Sequence, residues 1–252
     1  MRHNNIKADN RKALPKFFLI ILASALLGGV LGFASAFAAD ANIVERIGNF
    51  LSALLRVIAP WGIPVTSLVF LGLALSLYRK GKALCDTWDG EDEETADSAE
   101  EHLSWVLFWT NTQMLLDFFF LSLCSLYVQN LWALGTVVVF FFLSAGIIMV
   151  FQQKVVDLTR RLNPEKQGSV YDTNFKKKWM QSCDENERRQ MGQAAMKSYS
   201  VMNIAFPVIW CALLVAGLFF KTGILPSVMV LLLWSISSTT YLLEAIRLGK
   251  KN

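Results

Sequence analysis

Apolar residues in this chain are gathered into long runs instead of recurring at amphipathic spacing, and runs of about twenty are what a membrane-crossing helix requires. Six are predicted, at 17–38, 62–78, 103–127, 132–151, 199–220 and 225–246. At a rise of about 1.5 Å per residue, each can cross a hydrocarbon core of about 30 Å. Residues 128–131 alone separate the third and fourth runs, so these predict a tight antiparallel hairpin. Lys221, Thr222 and Gly223 mark the turn of a second hairpin between the fifth and sixth. The expected fold class is all-α: a polytopic six-helix transmembrane bundle forming a single membrane domain over 1–252. What is left between the runs is too short to bury a core of its own.

The polar intervals have patterns of their own. In 43–58, Ile43, Ile47, Phe50, Leu51, Leu54 and Ile58 recur at helical spacing, while Glu45, Arg46, Asn49, Ser52 and Arg56 take much of the remaining surface. This predicts an external amphipathic helix lying in the interface as a strap, with the second span starting after Pro60 and Trp61. The 79–102 segment is an acidic loop, with Asp86, Asp89, Glu91, Asp92, Glu93, Glu94, Asp97, Glu100 and Glu101 closing on His102. The 152–198 segment continues the fourth helix, breaks at Asn163-Pro164 and Gly168, and restarts near Cys183. Ser182 and Glu185 there have capping-box spacing. On the restarted helix Asp184 and Arg188, and Glu185 and Arg189, form i,i+4 pairs worth about 0.3 kcal/mol each.

Composition agrees with a membrane protein: 54% of residues are hydrophobic and 17% charged. The net charge of +4 gains meaning from its placement. Of the 24 Lys and Arg, 5 lie in the 1–16 tail, 3 in 79–102, 10 in 152–198 and 3 after the sixth run. Basic loops are retained in the cytoplasm, so both termini are expected inside a bacterial plasma membrane, and direct binding of nucleic acid is not expected. Ala36-Phe37-Ala38 resembles a signal-peptidase site, but the apolar stretch before it exceeds an ordinary leader and is read as a retained helix. Gly28 and Gly32 there offer a small-residue strip for helix packing. Cys85, Cys124, Cys183 and Cys211 have no CxxC spacing, so neither a disulfide framework nor a zinc site is expected.

Within the runs, Asp117 is costly unless it faces other helices. Thr110, Gln113 and Asp117 fall at i, i+3, i+7, with Asn111 beside them, making a polar stripe that either lines an ion or solute route or bonds helices together. The hydroxyls from Ser235 to Tyr241 in the sixth run form a second patch. Glu244 is expected to pair with Arg247 or to reach interfacial water. On the acidic side, Glu94, Asp97 and Glu101 share a helix face, and with His102, Asp184 and Glu187 they are candidate ligands for a divalent metal if the two polar helices meet. Glu101 and Glu187 would then be the catalytic candidates of a membrane-embedded metal-dependent hydrolase or protease. Lys176, Lys177, Lys178 and Trp179, with Arg188 and Arg189, are candidate contacts for anionic lipid headgroups or a partner. There is no Walker A loop, HExxH, GxSxG or dinucleotide fingerprint, so an enzyme is the less favoured reading and no resident cofactor is expected.

The chain also resembles the uncharacterised bacterial membrane family catalogued as domain of unknown function 3169. The resemblance rests on the basic tail, Gly28-Gly29-Val30-Leu31-Gly32, the acidic loop leading to Glu101 and Leu103-Ser104, and above all 175–199. There Lys178-Trp179, Ser182-Cys183-Asp184-Glu185, Ala194-Ala195 and Lys197-Ser198-Tyr199 stand out. Members are sometimes labelled ABC-2-like, which implies a Gram-positive plasma-membrane protein accompanying an ABC ATPase or permease, or a small transcriptional regulator. It carries over no active site. The expected function is thus a membrane module that binds such a partner through its cytoplasmic helices.

Overall fold

The computed structural model describes residues 43–220 and 222–249, together with 14–16, 18, 19, 22, 23, 26, 28–30 and 33. The described residues are helices joined by short turns, with no strand among them: α1 (Ile43–Thr87), α2 (Glu93–Tyr127), α3 (Leu131–Leu162), α4 (Phe175–Gln181), α5 (Glu185–Phe220) and α6 (Leu225–Gly249). All of these except α4 are long and apolar enough to cross a membrane. Of the first predicted run, every described position is helical and the others, with Gly32 and Ala36-Phe37-Ala38, lie outside the described residues. A Cβ at Gly28 would meet nothing within 4 Å.

One boundary differs from expectation. The amphipathic segment and the second run are not separate elements: α1 is a single helix of 45 residues that passes through Pro60 and Pro64. Each proline removes an N–H and crowds the carbonyl four residues back, which ordinarily ends a helix. Here Ala59 and Ile63, immediately beside the prolines, are buried with Cys124 of α2 and Val137 of α3, so packing carries the helix across the weak point. The apolar stripe of 43–58 still exists, with Phe50 71% exposed on it.

The chain divides into two compact units. In the 49–191 unit, α2 and α3 form the expected hairpin. Val128 N–H closes α2 on the Cys124 carbonyl at 2.9 Å, and Asn130 caps α3 by accepting from Trp132 N–H at 2.9 Å. Phe118 and Phe141 meet edge to face across it at 5.3 Å. Helix α1 packs on this hairpin at two levels, through Ala59 and Ile63 and again through Ala74, which is buried with Leu103, Val106, Val155 and Leu158. Small residues set its approach: an added Cβ at Gly62 would fall 2.0 Å from the Phe120 ring, and one at Gly81 would be 3.3 Å from both His102 and Leu103.

In the other unit, comprising 1–48 and 192–252, α5 and α6 form the second hairpin, turning through Gly223 at φ +74°. Tyr199 stacks on Tyr241 at 4.3 Å, and Trp234 Nε1–H donates to Asn203 Oδ1 at 3.3 Å, which gives the antiparallel register. Tyr241 is thereby the member of the sixth-run patch with a partner on another helix. Glu244 and Arg247 pair as expected, at 3.5 Å, where both are well exposed.

Candidate functional site

Two polar assemblies stand out in the 49–191 unit, one among its apolar helices and one at its hydrophilic end. The first is built on the α2 stripe. Thr110, Gln113 and Asp117 are all fully buried, as their spacing requires. Asp117 accepts from Gln113 Nε2 at 2.7 Å and from Ser144 Oγ of α3 at 2.6 Å. Gln113 Nε2 also reaches Ser67 Oγ at 2.9 Å and Thr66 Oγ1 at 3.2 Å on α1, and Ser67 reaches Ser144 at 3.2 Å. Three helices are thus joined in one network around a carboxylate whose own partners, Gln113 and Ser144, are neutral. Gln113 Oε1, equally buried, has no partner. Thr110 stays apart, its hydroxyl returned to the Val106 carbonyl of its own helix at 2.9 Å, and Asn111 is exposed. Sequence reasoning found the α2 members and missed Thr66, Ser67 and Ser144. Their signal was present as hydroxyls interrupting apolar runs, but hydroxyls that can bond their own helix do not reveal a partner.

The second assembly lies beyond the apolar stretches, where the ends of α1, α2 and α3 meet α4 and the start of α5. Three polar contacts tie these segments together. Asn163 donates to Glu100, Arg161 lies 3.6 Å from Asp86, and the Lys166 ammonium bonds Glu187. Lys166 is 2% exposed and its head sits over the Trp179 ring at 6.0 Å, so Trp179 covers a buried cation here. Burial alone would lower the Lys166 pKa, but the hydrogen bond and charge of Glu187 outweigh it and hold the value above the ordinary one. Gln153 of α3 fastens the following loop by accepting from Ser169 Oγ at 2.9 Å and Val170 N–H at 2.7 Å. Gly168 makes the turn at φ +125°, with the Phe175 ring 2.8 Å from where a Cβ would stand.

The carboxylates singled out from sequence are mostly engaged with backbone or solvent. Asp184 and Glu187 form a reciprocal box at the start of α5: Asp184 accepts from Glu187 N–H at 2.7 Å and Glu187 from Asp184 N–H at 2.9 Å. The box is therefore two residues later than the Ser182 and Glu185 expected from spacing. Ser182 instead accepts from Gln167 N–H at 3.1 Å. Arg188 does not meet Asp184; it donates to the Met180 and Gln181 carbonyls at the end of α4, at 3.2 and 3.1 Å. Asp92 caps α2, and Asp89 accepts from Glu91 and Asp92 N–H, which holds its pKa below the ordinary value. Glu94, Asp97 and Glu101 face outward on α2, and His102 Nδ1 lies 2.7 Å from the Ser98 carbonyl. Among the described residues, no group of three or more His, Cys, Asp or Glu side chains is placed to hold a metal ion. Lys178 pairs with Asp172, leaving Lys176, Lys177 and Arg189 exposed.

A family model described as a protein of unknown function, DUF3169, matches residues 11–245. The chain belongs to that family. No curated protein and no solved structure matches it. Family membership therefore agrees with the resemblance carried by 175–199, the segment that builds α4 and the start of α5. Several residues in that segment are structural in this chain: Trp179 covers Lys166, Cys183 Sγ–H bonds the Trp179 carbonyl at 3.2 Å, and Asp184 caps α5.

Proposed function

We propose that the protein is a multi-pass plasma-membrane module that docks a partner, an ABC-type ATPase or permease or a cytoplasmic regulatory protein, on the folded hydrophilic end of its 49–191 unit. The observation carrying this reading is that the polar extensions of the helices are cross-braced into a folded platform. Crossing the bilayer asks for about 20 residues per helix. Helices α2, α3 and α5 have 35, 32 and 36. The extra turns supply Glu100, Arg161 and Glu187, which with Lys166 of the following loop and Trp179 of α4 make a buried ion pair, an aromatic cover and cross-helix contacts beneath a charged surface. Glu94, Asp97 and Glu101 form its acidic side, and Lys176, Lys177 and Arg189 its basic side. Rim charges of this kind steer encounter and set specificity. The concentration of Lys and Arg in 152–198 supports a cytoplasmic position.

The test is site-specific photocrosslinking in native membranes, with the probe at Asp97, Lys177 and Arg189, and at Leu143 in the apolar stretch of α3 as control. Adducts with an ATPase, permease or regulator at the three platform positions, weakened by Lys176→Glu with Lys177→Glu, are expected. Absence of protein adducts at all three, with normal expression, would reject the docking role.

A further inference from the structure

Helix α3 buries Ser144, Ile148 and Val155 and leaves another face open. On that face Leu143, Ile147, Val150 and Lys154 recur at i, i+4, i+7 and i+11. With Phe142 and Phe151 they line a groove of about 560 Å³, a volume that suits a small-molecule ligand. Gly146 opens it, since no side chain stands there and a Cβ would meet nothing within 4 Å. Phe142, Leu143, Ile147 and Val150 are between 45% and 68% exposed, so no described helix covers the groove. Its two ends differ. One, at Phe142, is apolar and lies in the middle of the fourth run; the other is the Lys154 ammonium, three residues past that run. Lys154 Nζ sits over the Tyr78 ring of α1 at 5.8 Å, and Tyr78 meets the Phe151 ring edge to face at 6.1 Å, so the cation is held at the groove. Asp157, the next carboxylate along the helix, accepts from Gln153 Nε2 at 2.8 Å, and none of the ion pairs among the described residues includes Lys154.

We propose that this groove holds one acyl chain of an anionic phospholipid, with the headgroup phosphate on Lys154. The length fits: Phe142 to Lys154 covers about 18 Å at about 1.5 Å per residue, and one leaflet is half of a hydrocarbon core of about 30 Å. The chain would then run from headgroup level to the bilayer midplane. Charge complementarity names the lipid class. The groove supplies one cation without a countercharge, which an anionic headgroup neutralises and a zwitterionic one, carrying its own cation, does not. A second copy packing the same face in parallel would set another lysine against Lys154. The hydrophilic end to which Lys154 belongs is also the end where Lys and Arg are concentrated, and basic sites there meet the leaflet richer in anionic lipid. The site is independent of what docks on the hydrophilic end.

The test is native mass spectrometry of the full chain, purified and delipidated in detergent, titrated with phosphatidylglycerol and with phosphatidylcholine of identical chains. One phosphatidylglycerol per chain should be retained, with a preference of about fivefold over phosphatidylcholine. Lys154→Gln should remove that preference, whereas Lys197→Gln, which deletes the same charge on α5, should keep it. Gly146→Leu has room to fold, and by filling the groove should lower retention of both lipids. A phosphatidylglycerol carrying a photoactivatable group in mid-chain should label 142–151. Equal retention of the two lipids, a preference that survives Lys154→Gln or is lost equally in Lys197→Gln, wild-type retention in Gly146→Leu, or label spread evenly over the apolar helices would each overturn the proposal.

Discussion

Lys166 illustrates how much of the hydrophilic end depends on single side chains. Its ammonium is buried and Glu187 supplies the countercharge from a side chain that is 35% exposed. The two partners are therefore not equivalent. Glu187→Gln keeps an oxygen for the Asp184 cap but leaves a buried cation unpaired, and should destabilise the platform by about 2 kcal/mol, below the range for a fully buried pair because Glu187 reaches solvent. Lys166→Met removes the buried charge itself and should cost less. Hydrogen exchange over 163–191 distinguishes them, and equal protection in both variants would reject the asymmetry. The pH dependence has a definite sign. The folded Lys166 pKa is raised, so its contribution is full below the ordinary lysine value and is lost as pH rises through the raised one. Lys178 and the Asn174 N–H hold Asp172 below its ordinary value, so its contribution is present above that value and lost as pH falls through the lowered one. Protection of the amides in 168–178, taken relative to their unstructured exchange rates at the same pH, should therefore fall in acid, and Asp172→Asn should remove that response.

Residue roles were only partly legible in the sequence. Burial of Asp117 followed from its cost in hydrocarbon, and the placing of Gln113 and Thr110 beside it followed from helical period. Lys166 gave no signal, because a lysine between Asn163-Pro164 and Gly168 reads as an ordinary loop charge until Trp179 folds over it. The capping box was found as a motif but misplaced, since Ser182 and Asp184 are both good caps three residues before a Glu or an equivalent. Tertiary contacts chose between them: Gln167 N–H claims Ser182.

At the scale of elements, small residues decide how close the helices come. Gly62 sits against Phe120 with no room for a methyl group, so Gly62→Ala should destabilise the α1–α2 packing by about 1–3 kcal/mol. Phe120→Ala opens that space, so the double variant should be less damaged than the sum of the singles, with a coupling of about 0.5–3 kcal/mol in thermal unfolding of the purified protein. Additive effects would mean that the two residues do not touch. Gly168→Ala should loosen the loop by about 1–3 kcal/mol, since an alanine there is strained at φ +125° and meets the Phe175 ring. Both hairpins could be read from the turn lengths alone. The continuity of α1 could not: prolines at 60 and 64 argue locally for a break, and only the burial of Ala59 and Ile63 against α2 and α3 argues the other way.

At the scale of the whole molecule, five helices among the described residues can cross a bilayer, and the hydrophilic ends of α1, α2 and α3 lie together. Whether these face the cytoplasm determines which partners can reach them. The proposed function, argued from the distribution of Lys and Arg, requires residues 79–102 and 152–198 to be inside and the turns near Gln129 and Gly223 outside. The decisive measurement is labelling of single cysteines in a cysteine-free background with a membrane-impermeant maleimide, on intact and on permeabilised cells. Cysteine at Asp97 or Lys177 should be labelled only after permeabilisation, and cysteine at Gln129 or Gly223 already in intact cells. Labelling of Asp97→Cys or Lys177→Cys from outside intact cells would contradict a cytoplasmic docking platform.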